Sequence, residues 1–155
     1  MPQLSKGGKY VFGWSRIHAD GGVYIPDEAE REYRLKPNER VILISGSKRS
    51  GGFVVAKKSL VEQSAMAAVL TQTPTLAQFQ IEEGQTIKFK GRLYGWVRMH
   101  PKGLIVLPSH TLEVFHIKPG DRLLSIRGSN IAFVMGAKGP IIEKAREYAE
   151  ILVFD

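Results

Sequence analysis

The chain has 155 residues, 43% hydrophobic and 24% charged, and Lys and Arg outnumber Asp and Glu by 22 to 15, a net charge of +7. That is the composition of a globular protein about one domain long, and the positive balance favours polyanionic partners, nucleic acid before acidic membrane surfaces. There is no cysteine, which excludes disulfides, thiolate chemistry and cysteine-ligated zinc.

The N-terminal MPQLSKGGKY lacks the apolar core of a signal peptide. No stretch reaches the roughly 18 apolar residues of a membrane span, so the expected location is the cytoplasm, without a membrane partner. Residues 9–17, KYVFGWSRI, carry the β-branched and aromatic residues of a half-buried strand. HADGG is a turn whose glycines supply positive φ, and VYIP is a second strand that Pro26 ends. DEAEREYRL predicts a helix of about two turns, with Asp27, Glu28 and Glu30 near the positive end of its dipole. KPNE turns into a third, apolar strand, RVILISGS, and KRSGG turns into a fourth, FVVAK.

Residues 59–72, SLVEQSAMAAVLTQ, predict a spacer helix with Leu60, Val61, Met66, Val69 and Leu70 as its apolar positions and Pro74 after its end. The strand pattern then returns in RLYGWVRM, HPKG, LIVLP, SHTLEVFHI, KPGD, RLLSIRGS and IAFVM. Here Ser109 is the expected cap of the short helix, with Glu113 in its first turn. The tail, GPIIEKAREYAEILVF, predicts a C-terminal helix opening at Gly139-Pro140.

This return is a tandem duplication. At an offset of 82 residues Trp14 meets Trp96, Arg16 meets Arg98, His18 meets His100, Gly21 meets Gly103 and Pro26 meets Pro108. LKPNERVILISGS meets IKPGDRLLSIRGS, and, two residues out of step, FVVAKK meets FVMGAK. The organisation is a repeat at 8–58, a helical spacer at 59–89, a second repeat at 90–138 and a tail at 139–155. A unit of roughly 50 residues buries too little surface to fold well alone, so the two are expected to share one core. The positive charge belongs to the repeats. The first carries ten Lys and Arg against six Asp and Glu and the second eight against two, whereas spacer and tail are each net acidic and Lys6 supplies the last charge.

The stretches DGGVYIPDEAEREYRLKPNERVILI and PKGLIVLPSHTLEVFHIKPGDRLLSI resemble the AbrB/MazE/SpoVT family in their order of strand, glycine turn, strand ending in Ile-Pro or Leu-Pro, short helix and Pro-Gly-Asp turn. The likeness covers both repeats but not the spacer or tail. It implies a mainly β fold with short helices, a swapped-hairpin barrel that this chain would build intramolecularly from its two repeats. It also implies a DNA-binding transcriptional regulator, with double-stranded DNA as partner and self-association as a further possibility. In the family, basic side chains around the glycine turn and on the short helix face DNA. Here the position after the turn glycine is Gly22 in one repeat and Leu104 in the other, and on the helix Arg31 matches while Glu113 stands opposite it. The alternative is an interaction or oligomerisation module that keeps the barrel and has lost DNA reading.

The DNA-binding candidates are Arg16, Arg98 and Lys102, then Arg31, Lys48, Arg49, Lys90 and Arg92, with Arg16 and Arg98 expected on one face. GSKRSGG, which holds Lys48 and Arg49, is no P-loop, because no Gly-Lys-Ser/Thr ends it. His18 and His100 lack a recurring third ligand and are read as turn histidines. Trp14 and Trp96 are read as core and not as platforms for bases. No nucleophile, base and orienting group recur together, so neither catalysis, metal nor cofactor is expected.

Overall fold

A computed structural model of the chain describes residues 10–155. Lys6 and the start of the first repeat, Gly8 and Lys9, lie outside the described residues. The first repeat forms β1 (Val11–Arg16), β2 (Gly22–Tyr24), α1 (Asp27–Glu32), β3 (Arg40–Ser45) and β4 (Phe53–Lys57). The spacer forms α2 (Lys58–Glu62), α3 (Ala67–Gln72), α4 (Pro74–Ala77) and β5 (Thr86–Phe89). The second repeat forms β6 (Arg92–Arg98), a 3-10 turn (Pro101–Gly103), β7 (Leu104–Val106), α5 (Ser109–Val114), β8 (Arg122–Arg127) and β9 (Ala132–Gly136). The tail forms α6 (Pro140–Ala145) and β10 (Val153–Phe154). The fold is mainly β with short helices, and no described helix is long and apolar enough to cross a membrane.

The repeats exchange strands. The first strand of each pairs antiparallel with the third strand of the other, β1 with β8 and β6 with β3. The second strands pair with each other as a separate β2–β7 ribbon, and the fourth strands pair as β4–β9. Only the β3–β4 and β8–β9 hairpins stay within a repeat. The eight strands run in the order β10-β1-β8-β9-β4-β3-β6-β5. This sheet is open among the described residues, with β10 and β5 at its edges.

The exchange explains the long apolar runs. Along β3, Val41 and Leu43 point into a central core that also holds Phe12, Phe53, Val97 and Phe133, while Ile42 and Ile44 point outward. The outward side chains are buried too, beneath α2, α3 and α4 with Val61, Leu70, Leu76 and Tyr94. On the other half, Val11, Trp14, Leu124 and Ile126 are buried beneath α6 with Ile142 and Ile151. A strand buried on both faces reads as a continuous hydrophobic run and not as an alternation. Each fully buried Phe or Ile contributes about 1.5–3 kcal/mol.

Three expectations need correction. The spacer is three short helices and a strand. Ser64 interrupts the helix by donating from Oγ to the Val61 carbonyl and accepting at Oγ from the Met66 N–H, a local bonding that competes with the helical ladder. The tail helix ends at Ala145, and the tail finishes as β10, which runs parallel to β1 and accepts the Trp14 N–H at the Leu152 carbonyl, 2.8 Å. Finally, Pro108 caps α5, so Ser109 is its first residue, makes no capping bond, and leaves Glu113 in the last turn.

The repeated Gly-Trp has a physical reason. A Cβ at Gly13 would lie 2.7 Å from the Phe154 ring on β10, and one at Gly95 would lie 2.5 Å from the Gln85 carbonyl leading into β5. Glycine therefore lets an added strand close on the first strand of each repeat. The turn glycines serve the exchange in a matching way. Gly21 accepts from the Leu107 N–H and Gly103 from the Ile25 N–H, both at 2.9 Å, so each turn is tied to the other repeat's second strand.

At Gly21 φ is +87° and a Cβ would meet the Leu107 carbonyl at 2.0 Å, whereas Gly120, at φ +93°, has open space. Gly120→Ala should cost about 1–2 kcal/mol, the left-handed penalty alone. Gly21→Ala must also displace backbone and should cost clearly more, roughly 3 kcal/mol or above. Urea unfolding of the two variants beside the parent measures the difference.

Candidate nucleic-acid interface

Strand register sorts the basic residues predicted as contacts. Arg16 ends β1 opposite Arg122, at the edge of the sheet where β9 ends, β4 begins, β3 ends and β6 begins. Lys48 and Arg49 occupy the β3–β4 turn at this same end, and Lys90 and Arg92 flank the β5–β6 turn beside it. The Leu93 N–H donates to Ser45 Oγ at 3.0 Å and fastens the two turns together. Lys138, just beyond β9, completes the set. Arg98 lies opposite Arg40 at the other end of the sheet. The register therefore separates Arg16 from Arg98, and the common face expected for them does not form. Strand exchange is the reason: it carries one end of the sheet onto the other when the repeats are interchanged.

The two ends also differ electrostatically. At the Arg98 end four cations, Arg127, Lys57, Lys58 and Arg40, are occupied. Arg127 forms a two-pronged pair with Glu32 and lies over the Tyr10 ring at 4.4 Å. Lys57 pairs with Glu39 at 3.3 Å, and Lys58 pairs with Glu62 at 3.6 Å. Arg40 stacks on Phe79 and Trp96, 5.3 and 5.2 Å from the ring centroids. The Arg98 backbone N–H donates to Glu83 at 2.8 Å, while its guanidinium has no carboxylate partner among the described residues. At the Lys48 end, Arg16, Lys48, Arg49, Arg92, Arg122 and Lys138 have no carboxylate partner among the described residues, and Lys90 touches only the Phe89 ring, at 5.4 Å. Like charges set opposite each other in a sheet are destabilising; Arg40, opposite Arg98, is stacked on two rings, whereas Arg16 and Arg122 have no carboxylate or ring partner among the described residues.

The Lys48 turn is held rigidly. The Gly51 N–H donates to the Ser47 carbonyl at 2.9 Å, the Ser47 and Ser50 hydroxyls bond each other at 3.0 Å, and the Gly46 N–H donates to the Gly52 carbonyl at 3.1 Å. A cleft of 600 Å³ runs beneath it, lined by Lys48, Gly91, Leu93, His116 and Lys138. A second cleft of 740 Å³ adjoins it through His116, Ala137 and Lys138 and continues past Arg122 to Trp14 and the tail. Arg122 and Lys138 belong to this end and were not singled out in the sequence. Their signal was there: Arg122 is the repeat equivalent of Arg40, and Lys138 of Lys58.

Arg31 and Lys102 belong to neither end. Both are exposed, on α1 and on the 3-10 turn that packs against it. Trp14 and Trp96 are buried, at 6% and 7% exposure, which removes them as free stacking platforms. His18 sets its ring edge-on to Tyr24, and no described group of three His, Asp or Glu could hold a metal. Glu30 packs over Gly103, where a Cβ would meet its Oε2 at 2.2 Å. That oxygen is buried without a hydrogen-bond partner. Burial, then the neighbouring charge of Asp27, raise the Glu30 carboxyl above its ordinary range, against a smaller opposing effect of Arg31.

No protein-family model matches the chain, and no curated protein matches it. Among solved structures, the chain is similar to the solution structure of PHS018 from Pyrococcus horikoshii, at 14% identity over 84% of this chain and 97% of that one, with a TM-score of 0.36. A likeness of that size carries no argument about either fold or function.

Because the Glu30 carboxyl is raised in the folded protein, its contribution to stability is present in full below the ordinary carboxylate range and is lost as pH rises through the raised value. Glu30→Gln, neutral at every pH, should therefore melt higher than the parent near neutrality and converge with it on acidification. Melting temperatures taken from about pH 4 to about pH 8 test this. A variant that melts lower than the parent at neutral pH would show that the carboxylate is stabilising there.

Proposed function

We propose that the chain binds duplex DNA as a regulator of the AbrB/SpoVT type, and that it does so through the Lys48 end of its sheet. The observation that carries this is the contrast between the two ends: Arg127, Lys57, Lys58 and Arg40 are paired or stacked at one, and the cations at the other have no carboxylate partner among the described residues. A fold stabilised by ion pairs would have no reason to leave Arg16 beside Arg122 uncompensated, whereas a polyanion would supply the missing charge. Exposed Arg16, Arg92, Arg122 and Lys138 suit phosphate oxygens, and Lys48 and Arg49, on a rigid turn, suit insertion toward base edges. The exchanged pairing of β1 with β8 and β6 with β3, together with the β2–β7 ribbon, supports a swapped-hairpin barrel built within one chain. On this reading the interface is a single end and not a twofold surface, so the target need not be palindromic.

A second reading has its own observation. The edge strand β10 exposes Val153, and Leu152 before it is 58% exposed. An unpaired strand edge with apolar side chains suits the addition of a partner's strand, which is the interaction-module alternative.

Fluorescence anisotropy with random and genomic duplexes at several salt concentrations separates the two. DNA binding should weaken linearly on logarithmic axes, with a slope of about −0.9 for each phosphate neutralised. Replacing Lys48, Arg49 and Arg92 by Gln together should make that slope shallower by about 2 to 3, and Arg98→Gln should leave it unchanged. No binding at low salt, or an equal loss from Arg98→Gln, would overturn the assignment.

A further inference from the structure

Each repeat carries its fourth strand past the loop that leaves its short helix, and only the first repeat places a cation there. Lys57, which ends β4, sets its ammonium 2.8 Å from the Arg34 carbonyl and 3.3 Å from Glu39 Oε1. The repeat equivalents of Arg34, Glu39 and Lys57 are His116, Asp121 and Ala137. The backbone around them follows one pattern in both repeats. Arg34 and His116 are both left-handed, at φ 53° and 57°. The Lys36 N–H donates to Glu39 Oε2 and the Lys118 N–H to Asp121 Oδ2, each at 3.0 Å. The Met99 N–H donates to the Glu39 carbonyl at 2.7 Å and the Ile17 N–H to the Asp121 carbonyl at 2.9 Å. The second repeat thus presents the same two acceptors, the His116 carbonyl and Asp121 Oδ1, beside the methyl group of Ala137. No hydrogen bond or ion pair from a described residue reaches either of them.

We propose that the cleft beside Ala137 binds a small zwitterion with a primary ammonium and a carboxylate, whose ammonium takes the role that the Lys57 side chain has in the first repeat. His116, Asp121 and Ala137 all line the cleft of 740 Å³, a volume within the range of small-molecule sites. An ammonium offers three donors and no acceptor, which suits a carbonyl and a carboxylate oxygen side by side. The rest of the lining decides against a simple amine. Arg122 and Lys138 line the same cleft without a carboxylate partner among the described residues, while Arg146 shares its charge with Glu143 at 3.1 Å. A lone cation would meet Arg122 and Lys138 at like sign, and a lone anion would meet Asp121 at like sign. A ligand with both charges answers both, its ammonium at Asp121 and its carboxylate at Arg122 and Lys138. Arg122 and Lys138 also belong to the proposed DNA interface, but Asp121 and Ala137 play no part in that reading, and the test contains no nucleic acid.

The probes are the ω-amino acids from glycine to 6-aminohexanoate, each beside the simple carboxylate and the alkylamine of the same chain length. Amide-correlation spectra of ¹⁵N-labelled protein follow Ala137, Asp121 and Arg122 through each titration. At least one amino acid should shift these signals saturably, and its matched carboxylate and amine should each bind at least tenfold more weakly. Ala137→Lys gives the second repeat the internal ammonium of the first and should weaken the amino acid at least tenfold. Asp121→Asn, which keeps an acceptor for the Lys118 N–H, should weaken it at least threefold and carries the test if Ala137→Lys does not fold. Three results would overturn the proposal: no saturable shift with any amino acid up to millimolar concentration, equal binding of the matched carboxylate or amine, or unchanged affinity in either variant with a folded spectrum.

Discussion

The structure depends on the exchange of first strands between the two repeats. Neither repeat can complete its own sheet, because the place beside β3 is taken by β6 and the place beside β8 by β1. The turn glycines lock the exchange: each accepts an N–H from the other repeat's second strand, at positions where any side chain would meet backbone. Tyr33 adds a further tie, donating from α1's end to the Ser129 and Ala132 carbonyls of the second repeat, and burial pushes its phenol up to about 12. Folding of one half is thereby conditional on the other, which suits a chain whose units are each too small to bury a core alone.

The exchange makes two half-sheets whose outer faces are apolar and need covering. The spacer covers Ile42, Ile44 and Tyr94, and the tail covers Trp14, Leu124 and Ile126. Both also supply an edge strand that closes on a glycine, β5 near Gly95 and β10 against Gly13. The two solutions are alike in position and different in detail. The spacer arrives before its strand and runs antiparallel, whereas the tail arrives at the chain end and runs parallel. The spacer brings Phe79 to Trp96, Arg40 and Lys58, and the tail brings Tyr148 to the cleft lined by Trp14, Arg122 and Lys138.

Charge follows the same logic. The repeats place equivalent arginines at opposite ends of the sheet, and the covering segments and short helices decide what each meets. Glu32 and Glu39, contributed by the first repeat, pair with Arg127 and Lys57, and Phe79 receives Arg40. At the Lys48 end Glu32 is replaced by Val114, the equivalent of Glu39 is Asp121, which accepts from the Lys118 N–H and forms no ion pair with a described residue, and the Gly-rich turn carries Lys48 and Arg49 where the second repeat has Asn130 and Ile131. A duplicated sequence thus yields one end where Arg127, Lys57 and Lys58 are paired with carboxylates and one electropositive end. Exposed surface pairs are worth little individually, so the difference matters for what can approach and not for the stability of the fold.

The sequence by itself determined the duplication, the strands of each repeat, the short helices after Pro26 and Pro108, the glycine turns and the burial of both tryptophans. These are local properties: apolar runs, turn residues and helix-opening prolines act within a few residues of themselves. It also placed the excess charge in the repeats. The tertiary structure decided the rest. The strands β5 and β10 are four and two residues long and have no signal strong enough to compete with the helical pattern around them. The break at Ser64 is a side-chain bond, not a composition change. The placement of Arg98 with Arg40, and of Arg122 and Lys138 with Lys48, is set by register between residues far apart in the chain, 58 positions for Arg40 with Arg98 and 106 for Arg16 with Arg122. Offset arithmetic finds equivalent residues in a repeat, but equivalence under an exchange of strands means opposite ends, and only hydrogen-bonded pairing in three dimensions says which residues become neighbours.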